Sequence, residues 1–477
     1  MFVDELRQKT EHFVHCLIDA YGNDCSAELH SKYFQLIEQV STVIEANPSA
    51  DLNALRYILF TSSGIADAAQ QLVGEKHSCG GLVISYGTDN YCEVLVCGNQ
   101  QEIALGPTGE PAKMLVPMTE NSIFDLASVT KIITCLTVMR LHEKGIVDIT
   151  KPIRYYDNRF VNIANLTLEE VLSFIPVLKT SRRIDQLDQK SALDELFNVT
   201  FSTEPILRPY SDIGAMVIKY ILEAAVGESF DNIMHREVLS YVDGECFFTD
   251  IPNHQICNAV NNNFERKIIS GNYICDISTT LGSVHDPKAK VLDPDRKNLC
   301  GHSGLFATAI GMAKLSVAVL SGKVISLPTL NYIGTNRFGY CTEDGCYSQF
   351  LGMLCHTKHP LPANSEVYEL LSRNAFAIGG YTGNHYMLDS KNGLFSFFAS
   401  NRCHNRITAI TNSTNILRNT QGEILWPDGN NYVDNTRFAW DRDDVIHRVQ
   451  HYALQLKFLD HLNNQSNNNQ SCVIRKI

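Results

Sequence analysis

Strand-forming sequence is concentrated in two widely separated stretches of the chain, and what lies between them reads mostly as helix or irregular structure. The first stretch follows Gly80-Gly81: Leu82–Tyr86 and Tyr91–Cys97 flank the turn residues Gly87-Thr88-Asp89-Asn90, the pattern of a β-hairpin. Strand character returns only with Ala375–Ile378, Asn384–Leu388 and Leu394–Ser400, the last two joined by the turn Asp389-Ser390-Lys391-Asn392-Gly393. Strands at both ends of a largely helical stretch predict one α+β domain whose two ends build a single sheet.

Ahead of the first hairpin, residues 1–75 read as three helices broken at Gly22-Asn23-Asp24 and at Asn47-Pro48-Ser49. Leu6, Phe13, Leu17 and Tyr21 recur at near-helical spacing, as do Tyr33, Ile37, Val40 and Val43. This segment is expected to be a separate helical extension that packs or self-associates, because no polar constellation recurs in it. The sheet-bearing domain is assigned to residues 76–415. Residues 416–477 supply a helix near Asp443–His461 and a disordered Asn/Gln-rich tail at Asn463–Gln470. Within the domain, Val129–Lys144 shows an apolar helical face and Ile213–Val226 is a helix closed by Gly227.

Composition narrows the function. A net charge of −12, from 52 acidic against 40 basic side chains, opposes nucleic acid and anionic membrane surfaces as partners. No apolar stretch approaches the roughly 20 residues of a transmembrane helix, and the N-terminus lacks the pattern of a cleavable signal. Fifteen cysteines without repeated spacing suit reduced thiols, so the expected location is cytoplasmic, or outside by a route needing no cleavable N-terminal signal.

Chemistry concentrates at Phe124-Asp125-Leu126-Ala127-Ser128-Val129-Thr130-Lys131. A serine at the first turn of an apolar helix, with a lysine three residues on, puts hydroxyl and amine on one face within contact range. The helix start adds free backbone N–H groups for an oxyanion, and a desolvated lysine can have its pKa lowered toward that of a base. By itself Ser-x-x-Lys also describes a capping serine followed by a solvated lysine. Pro209-Tyr210-Ser211-Asp212 opens the second long helix and supplies a phenol that can share the lysine's proton.

The stretch from about Gly80 to Arg402 resembles the serine β-lactamase-related family, in its class C β-lactamase, esterase and D-peptidase branch of penicillin-binding-protein-like enzymes. The resemblance rests on Ser122–Lys131 with Leu141-His142-Glu143-Lys144-Gly145, on Tyr210-Ser211-Asp212, on Gly282–Ala289 and on Gly301–Ala309. It implies an antiparallel sheet flanked by helices, an all-helical subdomain and a cleft between them. It also implies Ser128 as nucleophile, Lys131 and Tyr210 as proton carriers, and Asp212 as the residue orienting Lys131. Backbone N–H groups of Ser128 and Tyr381 would hold the oxyanion, and Gly379, Gly380 and His302 would contact substrate. A carboxylate at Asp212, where the family has an amide, should raise the lysine pKa and favours Tyr210 as general base.

Two departures bear on substrate. Ile378-Gly379-Gly380 stands where the family has Lys-Thr-Gly or His-Thr-Gly, which removes a cation for a substrate carboxylate and favours esters or neutral amides. Ser173-Phe174-Ile175-Pro176 replaces a His-Thr-Ser-Gly stretch at the cleft rim. His285-Asp286 reads as loop structure rather than a catalytic dyad, since sequence neighbours rarely face each other. Cys341 and Cys346 lack the second pair a zinc site needs, and no nucleotide motif is present, so neither metal nor cofactor is expected. The expectation is a serine hydrolase of a small-molecule or peptide ester or amide. A fold retained for binding alone and an acyltransferase or transpeptidase are the alternatives.

Overall fold

The computed structural model describes residues 2–23, 25–107, 109–204, 206–242, 245–277, 281–463 and 471–477. Its central sheet takes strands from both ends of the chain. They are β1 (Gly81–Thr88), β2 (Tyr91–Leu105), β3 (Pro111–Pro117), β4 (His356–Thr357), β5 (Phe376–Gly379), β6 (His385–Asp389), β7 (Leu394–Ser400) and β8 (Ser471–Lys476). The order is β4-β5-β6-β7-β1-β2-β8, with β3 on the far part of β2. The two expected groups meet at β1–β7, where Leu82 pairs with Ser400 and Thr88 with Leu394.

Alternation along these strands feeds two separate cores. Val83, Val94, Val96, Phe376, Ile378, Tyr386, Phe395 and Phe397 point to one face and pack with α4 (Thr130–Glu143), α5 (Ile213–Val226) and α6 (Ala309–Leu320). Leu82, Ile84, Tyr86, Leu95, Ala377, Met387, Leu394 and Phe398 point to the other. That face is covered by α7 (Phe438–Asn463) and by α1 (Phe2–Tyr21), α2 (Ala27–Ala46) and α3 (Leu52–Ser62). With both faces covered, β1 and β7 are buried throughout, which suits their predominantly apolar sequences.

Three expectations change. The N-terminal helices are not separate: Phe13, Tyr33, Ile37 and Val40 share one core with α7 and the sheet, so their apolar faces are spent within the molecule. Strands do not wait until Ala375, because Glu265–Ile269 and Asn272–Asp276 form a hairpin, joined in parallel by Ile407–Thr411. The two-residue turn Ser270-Gly271, both at positive φ, was its signal. The sheet is antiparallel except at β8, which joins β2 in parallel. The disorder expected at Asn463–Gln470 falls almost wholly on residues 464–470, outside the described residues. No helix among the described residues is long and apolar enough to cross a membrane.

Candidate active site

The turn that carries Ser128 is built on Asp125. The short strand Ile123–Asp125 pairs with Phe306–Thr308 and delivers the chain into a tight turn, Ala127–Val129, that runs straight into α4. Ala127 sits at φ +46°, a conformation unfavourable for a residue with a Cβ, and it is the residue just before Ser128. Asp125 holds it there: one carboxylate oxygen accepts the Ala127 N–H at 2.9 Å, and the other accepts the His285 N–H at 2.7 Å. The Asp125 carbonyl accepts from Thr382 Oγ1 at 2.9 Å and from Asn384 Nδ2 at 2.7 Å. One buried residue thus ties the serine turn to the turn after β5.

Ser128 is half-buried and Lys131, one helical turn on, is fully buried. Lys131 Nζ donates to Ser128 Oγ at 2.9 Å and to the His302 carbonyl at 3.1 Å, and pairs with Asp212 Oδ1 at 2.7 Å. The segment carrying that carbonyl enters between α4 and α5 because Gly301 has no side chain. A Cβ there would lie 2.4 Å from the Ala215 carbonyl, while Thr134 Oγ1 donates to Gly301 O from the other side at 2.6 Å.

Tyr210 closes the group. Its ring lies between Phe174, at 5.3 Å between centroids, and His356, stacked at 5.4 Å, and its N–H donates to Gln349 Oε1 at 3.1 Å. Lys131 Nζ is 5.2 Å from the ring centroid, and the buried phenolic oxygen makes no hydrogen bond of ordinary geometry. Burial raises the phenol's pKa, and the Lys131 ammonium and Ser128 only partly counter it. For Lys131 burial favours the neutral amine, but Asp212 and Tyr210 outweigh it and the pKa is raised. The lowered lysine expected from desolvation is therefore corrected, and the effect expected of a carboxylate at Asp212 is what prevails. The resting site is an ammonium–carboxylate pair beside a neutral phenol.

Asp212 carries a second ammonium, Lys288, at 2.9 Å; Lys288 also lies 3.6 Å from Asp286, whose other oxygen is 3.0 Å from His302 Nε2. Burial would raise Asp212, yet Lys131, His302 and Lys288 hold it far below the usual carboxylate range. His302 itself is corrected as a substrate contact: its side chain is wholly buried against Asp286, and its carbonyl serves the site. His285 and Asp286 face different partners, Glu265 at 3.1 Å and His302, so they form no dyad.

The expected oxyanion residue Tyr381 lies in the turn between β5 and β6, and among the described residues nothing accepts from its N–H. Gly380 brings that turn onto the nucleophile: a Cβ would sit 3.0 Å from Leu126 O and 3.4 Å from Ala127 Cβ. Gly379 opens elsewhere, toward Arg442 and Glu366, at 3.1 and 3.3 Å from a Cβ placed there. Among the described residues two clusters have the atoms to ligate a metal, Asp212 with Asp286 and His302, and Glu265 with His285 and Cys403. Lys131 and Lys288 occupy the first and Lys267 pairs with Glu265 in the second, so ammonium groups already neutralise both. Sequence reasoning missed Asp125, Lys288, Glu366 and His356. Only Asp286-Pro287 carried a signal, as the N-cap of Pro287–Leu292 that places Lys288.

A family model described as Beta-lactamase matches residues 93–417. No curated protein matches the chain by sequence. Among solved structures, the unliganded simvastatin synthase from Aspergillus terreus is 13% identical with a TM-score of 0.55, covering 88% of this chain and 100% of that one. A class C beta lactamase from Rhodobacter sphaeroides is 16% identical with a TM-score of 0.51, covering 71% and 94%. A penicillin-binding protein homolog from Caulobacter crescentus is 15% identical with a TM-score of 0.51, covering 71% and 91%. At these identities the likeness is one of fold.

Proposed function

The chain belongs to the β-lactamase family, and on that premise we propose that it is a serine hydrolase cleaving an ester or amide through an acyl-enzyme on Ser128. The observation that carries the reading is the contact of Lys131 Nζ with Ser128 Oγ at 2.9 Å, under a buried phenol and beside the turn bearing Tyr381. Ser128 Oγ attacks the carbonyl and the Ser128 and Tyr381 N–H groups take the developing negative charge. The active form carries one proton fewer on the Lys131–Tyr210 pair. Tyr210, as phenolate beside the retained Lys131 ammonium, accepts the Ser128 proton and returns it to the leaving group. Asp212, anchored by Lys288, holds the ammonium in place. Water then attacks the acyl-enzyme, the same phenolate takes its proton, and that proton passes to Ser128 Oγ as the acyl–oxygen bond breaks, which restores the starting form.

The simvastatin synthase likeness bears on a second outcome, in which an alcohol or amine replaces water in the last step; its coverage of the chain is the higher of the two enzyme classes compared. A fluorophosphonate probe tests the shared first step. Labelling of the wild type that maps to Ser128 and disappears in Ser128→Ala supports the acyl-enzyme reading. A wild type that takes no label and turns over no activated ester is a binding protein on this fold. Product analysis with added amines separates hydrolysis from transfer.

A further inference from the structure

A cavity of about 330 Å³ is bounded by neighbours of Tyr210, among others by Arg208, Gln349, His356, His359, Asn364 and Glu366. Two of its walls belong to the catalytic group: His356 stacks on the Tyr210 ring and Gln349 binds the Tyr210 N–H. On another wall Glu366 reaches the end of β5, where Gly379 leaves it room. The cavity therefore borders residues that touch Tyr210, the group that protonates the leaving group in the proposed reaction.

Glu366 Oε2 is buried and makes no hydrogen bond. The Glu366 side chain as a whole is 26% exposed on the cavity lining, so a donor carried by a ligand can reach the carboxylate there. Its cationic neighbours do not supply one. Arg442 is 3.8 Å from the other oxygen, Oε1, and is committed to Asp443 at 2.9 Å and the Asn384 carbonyl at 3.1 Å. His385 Nε2 stands 3.6 Å away, and burial pushes its pKa down to about 3, leaving it neutral. Burial would raise Glu366 itself, but His356 and Arg442 hold it below the ordinary carboxylate range, so it is an anion near neutrality. Arg208 stands exposed on the lining, where solvent screens its charge.

We propose that this cavity is a binding subsite for a primary ammonium group on the leaving-group side of the substrate, or on the acceptor that replaces it, with the Glu366 carboxylate as anchor. The catalytic relevance of the site rests on the acyl-enzyme reading; the binding chemistry does not. The test uses a charged ligand and its uncharged isostere, L-alaninamide and isobutyramide. Their dissociation constants are measured by competition against fluorophosphonate labelling of the full chain and by calorimetry on Ser128→Ala. A charge-assisted hydrogen bond to Glu366 predicts that the ammonium compound binds about tenfold or more tighter, and that Glu366→Gln brings the ratio to within about twofold. A ratio near one in the wild type, or one unchanged by Glu366→Gln, overturns the proposal, and the first of these needs no variant to fold. Absent labelling would count against the hydrolase reading alone, because calorimetry on Ser128→Ala still decides the ammonium site.

Discussion

Asp212 decides at which pH the site can work, because its carboxylate stabilises the protonated form of Lys131 and opposes ionisation of Tyr210. Replacing it with the neutral isostere removes both effects in the same direction. Asp212→Asn should therefore move the acidic limb of the kcat/KM profile toward lower pH, read with an activated ester across pH 5–10. A limb that stays in place, or moves up, would show that neither group is the one losing the proton. Gly380 makes a second test, of geometry rather than charge. Its missing Cβ lets the Tyr381 turn lie on Leu126 and Ala127, so Gly380→Ala should displace an oxyanion donor and lower kcat/KM by about 10²–10³-fold. Circular dichroism should show the fold retained. The meeting of Ser128, Lys131 and Tyr210 was legible because all three stand at or near helix starts. Asp125 was not, since an aspartate bonded to backbone N–H groups has no spacing signature; its partners lie at His285, Thr382 and Asn384.

Elements with a strong local period were the readable ones. Ile213–Val226 and its stop at Gly227 agree with the pattern, as do the strands that pair around β7. The β8 strand was invisible, because Ser-Cys-Val-Ile-Arg-Lys has neither a period nor a partner nearby in sequence, and its partner β2 lies at the other end of the chain. Beside its backbone pairing with β2, β8 is anchored by a buried long-range ion pair. Arg475 donates to both oxygens of Glu93 at 2.9 Å, and that wholly buried carboxylate also accepts from the hydroxyls of Tyr86, Tyr91 and Tyr452. Removing the cation would leave a buried charge short of its main partner, so Arg475→Ala should destabilise the protein by about 3–5 kcal/mol in denaturant titrations. The double variant Glu93→Gln, Arg475→Ala should recover part of that loss. A loss below about 1 kcal/mol would mean that β8 is held by its backbone bonds alone.

At the scale of the whole molecule, the sheet is the shared wall of two cores that never touch, one built around α4, α5 and α6 and the other around α7 and the N-terminal helices. Each strand contributes alternate side chains to both, so neither face can be stripped without exposing the apolar half of every central strand. Tyr210 packs against the first core, yet Gly379 ends, and Gly380 follows, a strand whose Ala377 packs on the second. The two faces should therefore unfold together, in a single calorimetric transition that also abolishes fluorophosphonate labelling. A chain lacking residues 1–75 should fail to fold to a labelled state, because Leu82, Ile84 and Leu95 would lose part of their cover and about 25 cal/mol would be forfeited for each Å² of apolar surface returned to water. A truncated chain that stayed monomeric, kept its near-ultraviolet spectrum and still took the probe would show instead that α7 alone suffices to seal the second face.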